Sequence, residues 1–193
     1  MTTSLIVAMT GATGAVYGIR MLEVLRDLGI RTELIVSDWA GTNLRLETGR
    51  SVEEISDLAS TSYSATNLAA PPSSGSYQVD GMAIVPCSMK TLAAIATGYG
   101  DNLVHRAADV TLKEGRKLLV APRETPFNAI HLKNMLELAR LGVTVMPPLP
   151  AFYNRPETIE DLIDHFVARA LDQFGIDAGI TRRWGPVRRE DEE

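Results

Sequence analysis

Gly11-Ala-Thr-Gly14 sits between the apolar run Leu5–Met9 and a helical pattern that starts at Ala15. Four small residues at that junction can seat a phosphate, because a helix start presents free N–H groups and the positive end of its dipole. Thr13 adds a hydroxyl to the same turn. Pro86-Cys-Ser-Met-Lys-Thr91 offers a second helix start, with hydroxyls at Ser88 and Thr91 and a cation at Lys90. Arg123-Glu124, directly after the apolar run Leu118–Ala121, joins an anion clamp to a carboxylic acid that can move protons. The chemistry these residues suit is the handling of a phosphorylated cofactor.

Other candidates carry plainer readings beside the functional ones. Ser37 caps a helix beginning at Asp38, a role compatible with contacting a ligand hydroxyl. The first turn lacks the full G-x-G-x-x-G spacing, and Ser37 rather than an acid closes the second strand, so a mononucleotide fits better than a nicotinamide dinucleotide. Cys87, the lone cysteine, reads as a small buried hydrophobe rather than a nucleophile. Glu47 stands near a helix C-terminus, where the dipole disfavours a carboxylate, and that mismatch suggests a role elsewhere. Lys113 stands near a helix C-terminus too, where its charge is welcome. Arg106, Arg155 and Arg169 suit surface ion pairs. Tyr153 lies on a proline-stiffened loop, Pro147–Pro156, of a kind that positions ligand groups. His105, His131 and His165 show no metal-ligand spacing, and no nucleophile elbow is present.

The elements that must position these residues alternate along the chain. Short apolar runs predict strands at Leu5–Met9, Thr32–Val36, Gly81–Val85, Leu118–Ala121 and Val143–Met146. Helical patterns cover Ala15–Leu28, Asp38–Leu46, Val52–Leu58, Thr91–Thr97, Leu103–Glu114, Ala129–Leu141 and Thr158–Phe174. The expected fold is α/β: a single-domain, doubly wound parallel sheet in three layers, Rossmann- or flavodoxin-like, spanning 1–193 with a tail from about 176. Every candidate cluster then follows a strand, at the sheet edge where such folds bind ligands. Thr61 to Tyr77, polar and rich in Pro, Ser and Gly, reads as a surface loop. The end, Arg188-Arg-Glu-Asp-Glu-Glu193, reads as a frayed charged terminus.

Composition narrows the class. The 193 residues are 45% hydrophobic, enough for a sizeable core, and the net charge of −5 with no basic stripe argues against nucleic acid. No apolar run is long enough to span a bilayer, and the amino terminus carries no signal-peptide pattern. One cysteine without a partner suits a reducing cytoplasm.

Taken in order, these motifs resemble the UbiX-like flavin prenyltransferases across nearly the whole chain. The pieces are Met9-Thr-Gly-Ala-Thr-Gly14, Leu46-Glu-Thr48, Ser74-Gly-Ser76, Pro86–Thr91, Arg106–Val110, Leu112-Lys-Glu114, Pro122-Arg-Glu-Thr-Pro126, His131-Leu132 with Asn134-Met135, Ala151-Phe-Tyr153 and Arg183-Trp184. The Met89-Lys90 pair and Gly115-Arg-Lys117 are most similar to members that accompany hydroxyarylic acid decarboxylases. The resemblance implies that reduced FMN and dimethylallyl monophosphate are joined into prenylated FMN for a separate UbiD-type decarboxylase. It implies FMN contacts from Gly11, Ala12, Thr13, Ser37, Ser88, Met89, Lys90, Thr91 and Arg123. Tyr153 and Arg169 would hold the dimethylallyl phosphate, with Arg106, Lys113, Arg123 and Glu124 completing the cage. Many members carry serine where this chain has Thr13. The family is homo-oligomeric, often dodecameric, and Arg106, Tyr153 and Arg169, coming from distant parts of a small sheet, suggest convergence across a subunit contact.

The implied chemistry agrees with the residue types. No Asp-rich repeat for Mg²⁺ is present, so departing phosphate must be stabilised by fixed cations and hydroxyls, for which Lys113, Arg123, Arg169 and Tyr153 are suited. Glu124 is the first choice for proton transfer and Glu47 the second. Two other readings share the fold: a flavin-dependent cysteine-type decarboxylase, and a non-catalytic FMN-binding subunit of a hydroxyarylic acid decarboxylase.

Overall fold

Strand β1, Ser4–Met9, is buried along its full length, and its side chains feed two different cores. Leu5, Val7 and Met9 face one layer, while Ile6 and Ala8 face the other. The same period of two divides β4, Gly81–Cys87: Ala83 and Val85 go one way, Met82 and Ile84 the other. In β5, Lys117–Pro122, Leu119 and Ala121 oppose Leu118 and Val120. An unbroken apolar run with alternating destinations is what a strand covered on both faces requires.

The computed structural model describes residues 4–185. Its six strands are all parallel, in the order β3-β2-β1-β4-β5-β6. The remaining strands are β2 (Arg31–Val36), β3 (Thr61–Ser64) and β6 (Thr144–Val145). Helices α1 (Ala15–Asp27) and α7 (Ile159–Asp172) pack on one core, while α4 (Met89–Thr97), α5 (Leu103–Lys113) and α6 (Ala129–Arg140) serve the other. Helices α2 (Asp38–Thr48) and α3 (Val52–Ser56) link β2 to β3. The chain builds outward from β1 through β2 and β3, then returns to lay β4 on the other side of β1. Between β1 and β4 lies the switch point, and the crevice beyond its carboxyl ends is where doubly wound sheets bind ligands.

One sequence expectation is corrected. Thr61–Tyr77 is not all loop: Thr61–Ser64 pairs in parallel with Glu33–Val36 of β2, and Pro71–Ser73 forms a 3-10 turn. As an edge strand, β3 is largely exposed and carries no apolar run, so hydrophobic patterning does not reveal it. Tyr77 in the same segment donates to Glu33 Oε1 at 2.6 Å, so the loop supplies a partner to a buried carboxyl group inside β2. The chain from Ile176 to Gly185 is tied down as well. Arg183 binds Asp172 at 2.8 and 2.9 Å, and the Thr181 hydroxyl lies 3.1 Å from His165. The charged end expected at Arg188–Glu193 lies outside the described residues. Among the described residues no helix is long and apolar enough to cross a membrane.

Candidate active site

The ends of β1 and β4 are joined by Thr10, a hydroxyl whose role the sequence reading missed. Thr10 is buried; its Oγ1 donates to the Pro86 carbonyl at 3.1 Å and accepts the Ser88 amide at 2.7 Å. That contact fixes how the chain leaves β4 and enters α4. Ser88 caps the helix: its Oγ accepts from the Thr91 amide at 3.2 Å and donates to Thr91 Oγ1 at 3.1 Å. Among the described residues the Met89 and Lys90 amides have no protein acceptor, as helix N-termini dictate, and they open beyond the carboxyl end of β4. Two free amides at a helix start form a donor pair that fits a phosphate monoester. The signal for Thr10 was a single hydroxyl in an otherwise apolar run. Thr10→Val should cost about 1–3 kcal/mol, because it strands a buried amide, and thermal melts will show a lowered Tm.

The Gly11–Gly14 turn is closed by a carboxylate. Glu47 Oε2 accepts the amides of Gly14 and Ala15, each at 2.9 Å. Gly14, at φ 101°, caps α1 without a side chain of its own, so Glu47 supplies the missing acceptor from α2. This accounts for an acid in the last turn of α2: its charge is unfavourable for that helix and favourable for the start of α1. Two amides that the turn offers to a phosphate are thus engaged within the protein. The α4 start is the freer seat. Gly11 is needed for a different reason, since a Cβ there would lie 2.6 Å from the Trp39 Cβ. Trp39 is 73% exposed beside the turn and was not singled out from sequence. Ser37 continues the rim beyond β2; its Oγ accepts the Ala40 amide at 3.3 Å, leaving the hydroxyl hydrogen to donate outward.

Arg123 and Glu124 complete the rim after β5. The Arg123 amide donates to the Cys87 carbonyl at 3.2 Å, which docks this segment against the end of β4. Burial pushes the Tyr17 hydroxyl up from its ordinary value, and the nearby Arg123 guanidinium partly offsets that. The charge of Arg123 therefore reaches the first turn of α1. Both Arg123 and Glu124 are exposed, and Glu124 Oε1 accepts the Thr125 amide at 3.0 Å. Cys87 is fully buried, and desolvation pushes its thiol well above the ordinary range, which removes it as a nucleophile. Thiol titration of the native protein should find Cys87 unreactive until denaturant is added.

The other proposed residues each have partners of their own in the single chain. Lys113, the last residue of α5, pairs with Glu114 beside Gly75. It stands four residues before Lys117, where β5 begins, at the amino edge of the sheet and opposite the Gly11–Gly14 turn. Arg106 donates to the Ser73 carbonyl at 3.0 Å and to Asp109 at 2.7 Å. Arg169 pairs with Asp172 at 2.8 Å. Tyr153, half-exposed, places its hydroxyl 3.1 Å from His165 Nε2, a partner that sequence spacing did not suggest. One chain thus brings together Gly11, Ala12, Thr13, Ser37, Glu47, Ser88–Thr91, Arg123 and Glu124, and leaves Arg106, Lys113 and Arg169 engaged elsewhere. Among the described residues no group of three His, Cys, Asp or Glu side chains is placed to hold a metal ion.

Comparison with known proteins gives the chain's family. The profile of the Flavoprotein family matches residues 2–171. A probable UbiX-like flavin prenyltransferase of Streptomyces sp. (strain D7) is 58% identical over 185 residues, covering 95% of this chain and 92% of the relative. The crystal structure of AnUbiX (PadA1) in complex with FMN and dimethylallyl pyrophosphate superposes with a TM-score of 0.95 at 48% identity, covering 97% of this chain and 100% of that one. A dodecameric FMN-dependent UbiX-like decarboxylase from Escherichia coli O157:H7 superposes with a TM-score of 0.93 at 54% identity, covering 95% and 100%.

Proposed function

The chain belongs to the Flavoprotein family and within it to the UbiX-like flavin prenyltransferases, and from that premise we propose that it joins the dimethylallyl group of dimethylallyl monophosphate to N5 and C6 of reduced FMN. The observation that carries the reading is the open, amide-rich start of α4 after β4, with the Arg123-Glu124 segment docked beside it through the Arg123 amide and the Cys87 carbonyl. The product is prenylated FMN, used by a UbiD-type aromatic acid decarboxylase. A likeness this close in sequence and length separates the chain from the cysteine-type decarboxylases and from a mere FMN carrier.

In this reading Ser37, Ser88, Met89, Lys90, Thr91 and Arg123 hold FMN, while Gly11, Ala12 and Thr13 form the small-residue floor that lets the flavin approach the backbone. Reduced FMN, when bound, supplies the two nucleophilic positions that accept the prenyl unit. Arg123, Lys113, Arg106 and Arg169 neutralise the departing phosphate, and Tyr153 donates to it. Fixed charges stabilise charge as it develops on the leaving group, so no metal is called for. Glu124 takes up a proton released by alkylation, with Glu47, which holds the α1 turn in shape, as the second candidate for that role.

We further propose that residues 1–193 act as one flavoprotein domain, that copies assemble into a homo-oligomer such as a dodecamer, and that the enzyme works in the cytoplasm, where reduced flavin is available and Cys87 stays a thiol. The direct test is anaerobic incubation of the protein with reduced FMN and dimethylallyl monophosphate, followed by mass spectrometry of the released flavin. A gain of one prenyl unit is expected. An unchanged flavin mass would reject the assignment.

A further inference from the structure

His165 is a buried histidine that the reaction as described leaves without a task. It lies midway along α7 and is 6% exposed. Its Nε2 is 3.1 Å from the Tyr153 hydroxyl and its Nδ1 is 3.1 Å from Thr181 Oγ1. The Tyr153 ring is also held edge-on between two others, with centroids 5.3 Å from His165 and 5.3 Å from Trp184. So loop, helix and C-terminal segment converge on one phenol.

Burial, aided by the charge of Arg169, pushes the His165 imidazole below its ordinary value, so the ring is neutral near pH 7. A neutral imidazole carries one N–H, and two arrangements are open. With the proton on Nδ1, Nε2 would accept from Tyr153, and the phenol would turn only lone pairs toward an incoming phosphate. With the proton on Nε2, the ring donates to the Tyr153 oxygen, and the Thr181 hydroxyl donates to Nδ1. The Tyr153 O–H is then free to donate outward. Only the second arrangement suits a phenol that faces an anion.

We propose that His165 is a positioning residue of the phosphate subsite, protonated on Nε2 and anchored by Thr181, which holds the Tyr153 hydroxyl as a donor to the phosphate of the prenyl substrate. The proposal rests on the reading above that Tyr153 meets that phosphate. A hydroxyl that accepts one hydrogen bond while donating another is polarised in the direction of donation, so the chain Thr181–His165–Tyr153 points toward the leaving group. Losing one member costs both the orientation of the phenol and part of its strength as a donor.

The test is a double-mutant cycle on the full-length protein in its native assembly. His165→Leu should lower kcat/KM for dimethylallyl monophosphate by about 10- to 100-fold, with FMN affinity unchanged, as for loss of a hydrogen bond serving a charged group. His165→Gln, whose amide can still donate near the Nε2 position, should recover to within about threefold of wild type. In a Tyr153→Phe background, His165→Leu should cause no further loss, because the histidine acts through the hydroxyl. Losses that add in the double variant overturn the proposal, as does a folded His165→Gln that is as impaired as His165→Leu. Where His165→Leu does not fold, Thr181→Val takes its place in the cycle, and a wild-type kcat/KM in that variant overturns the proposal. The tautomer is read separately from ¹⁵N-histidine spectra, assigned by the signals lost in His165→Gln. A protonated Nε2 with a bare Nδ1 supports the relay, and the reverse refutes it. A wild-type protein that prenylates no flavin would reject the parent assignment alone, since the tautomer remains measurable without substrate.

Discussion

Glu124→Gln is expected to bind FMN with wild-type affinity and to form prenylated flavin about two to four decades more slowly, the range for loss of a positioned general acid or base. The substitution is a clean probe because so little of the fold depends on the carboxylate. Glu124 is exposed, and its acceptance of the Thr125 amide at 3.0 Å can be kept by a glutamine oxygen. What glutamine cannot do is exchange a proton. Single-turnover rates measured anaerobically with reduced FMN and saturating dimethylallyl monophosphate isolate that step from substrate binding. Glu47→Gln is the matching control, since an amide oxygen can still accept from Gly14 and Ala15 and so preserve the turn. A fast Glu124→Gln with a slow Glu47→Gln would move the proton-transfer role from the β5 rim to the α2 carboxylate. A fast pair would remove both acids from the chemistry.

Much of the framework was legible because burial on both faces writes itself as continuous apolar runs. Five of the six strands follow from Val, Ile and Leu content, and their ends agree with the structure to within one or two residues. The edge strand Thr61–Ser64 was not legible, since its pairing with β2 uses backbone groups and leaves its side chains in solvent. Helix starts were readable wherever a capping side chain stands in place, as at Ser37, Ser88 and Asn102. The Gly14 cap was different. Its acceptor, Glu47, comes from 33 residues away, and only the oddity of an acid in a helix's last turn hinted at it.

The site divides along the same line. Residues that immediately follow a strand, such as Ser88 and Arg123, are placed by topology alone, and topology could be inferred from the order of elements. Contacts between distant segments left no trace in local spacing. His165 and Tyr153 are 12 residues apart, His165 and Thr181 16 apart, and Thr10 and Ser88 78 apart. Each of those contacts orients a candidate functional group. A sequence pattern shows which groups are present at the rim, and long-range hydrogen bonds decide which way they face.

Lys113→Ala should reduce prenyl transfer by about two to three decades, the loss expected when one preorganised charge is removed from a leaving group. The distinctive part of the prediction concerns which chain supplies the charge. Lys113 ends α5 just before β5 begins, and β5 has six residues, so the width of the sheet separates it from the Gly11–Gly14 turn of its own chain. At about 3.3 Å per residue that separation is about 20 Å, beyond the reach of a lysine side chain. A Lys113 that serves the phosphate must therefore come from another copy. Exposed apolar side chains on α6, Ile130, Leu132 and Leu136, are suited to contact another copy. Lys113→Ala and Glu124→Gln, each nearly inactive alone, should regain activity when dissociated together and reassembled. Random mixing gives about a quarter of sites an intact lysine from one copy and an intact glutamate from its neighbour, which sets the expected ceiling. Native mass spectrometry can verify that the hybrids form. Verified hybrids with no recovered turnover would place Lys113 outside the phosphate cage, and the charge stabilisation would then fall to Arg123 and the cations that remain.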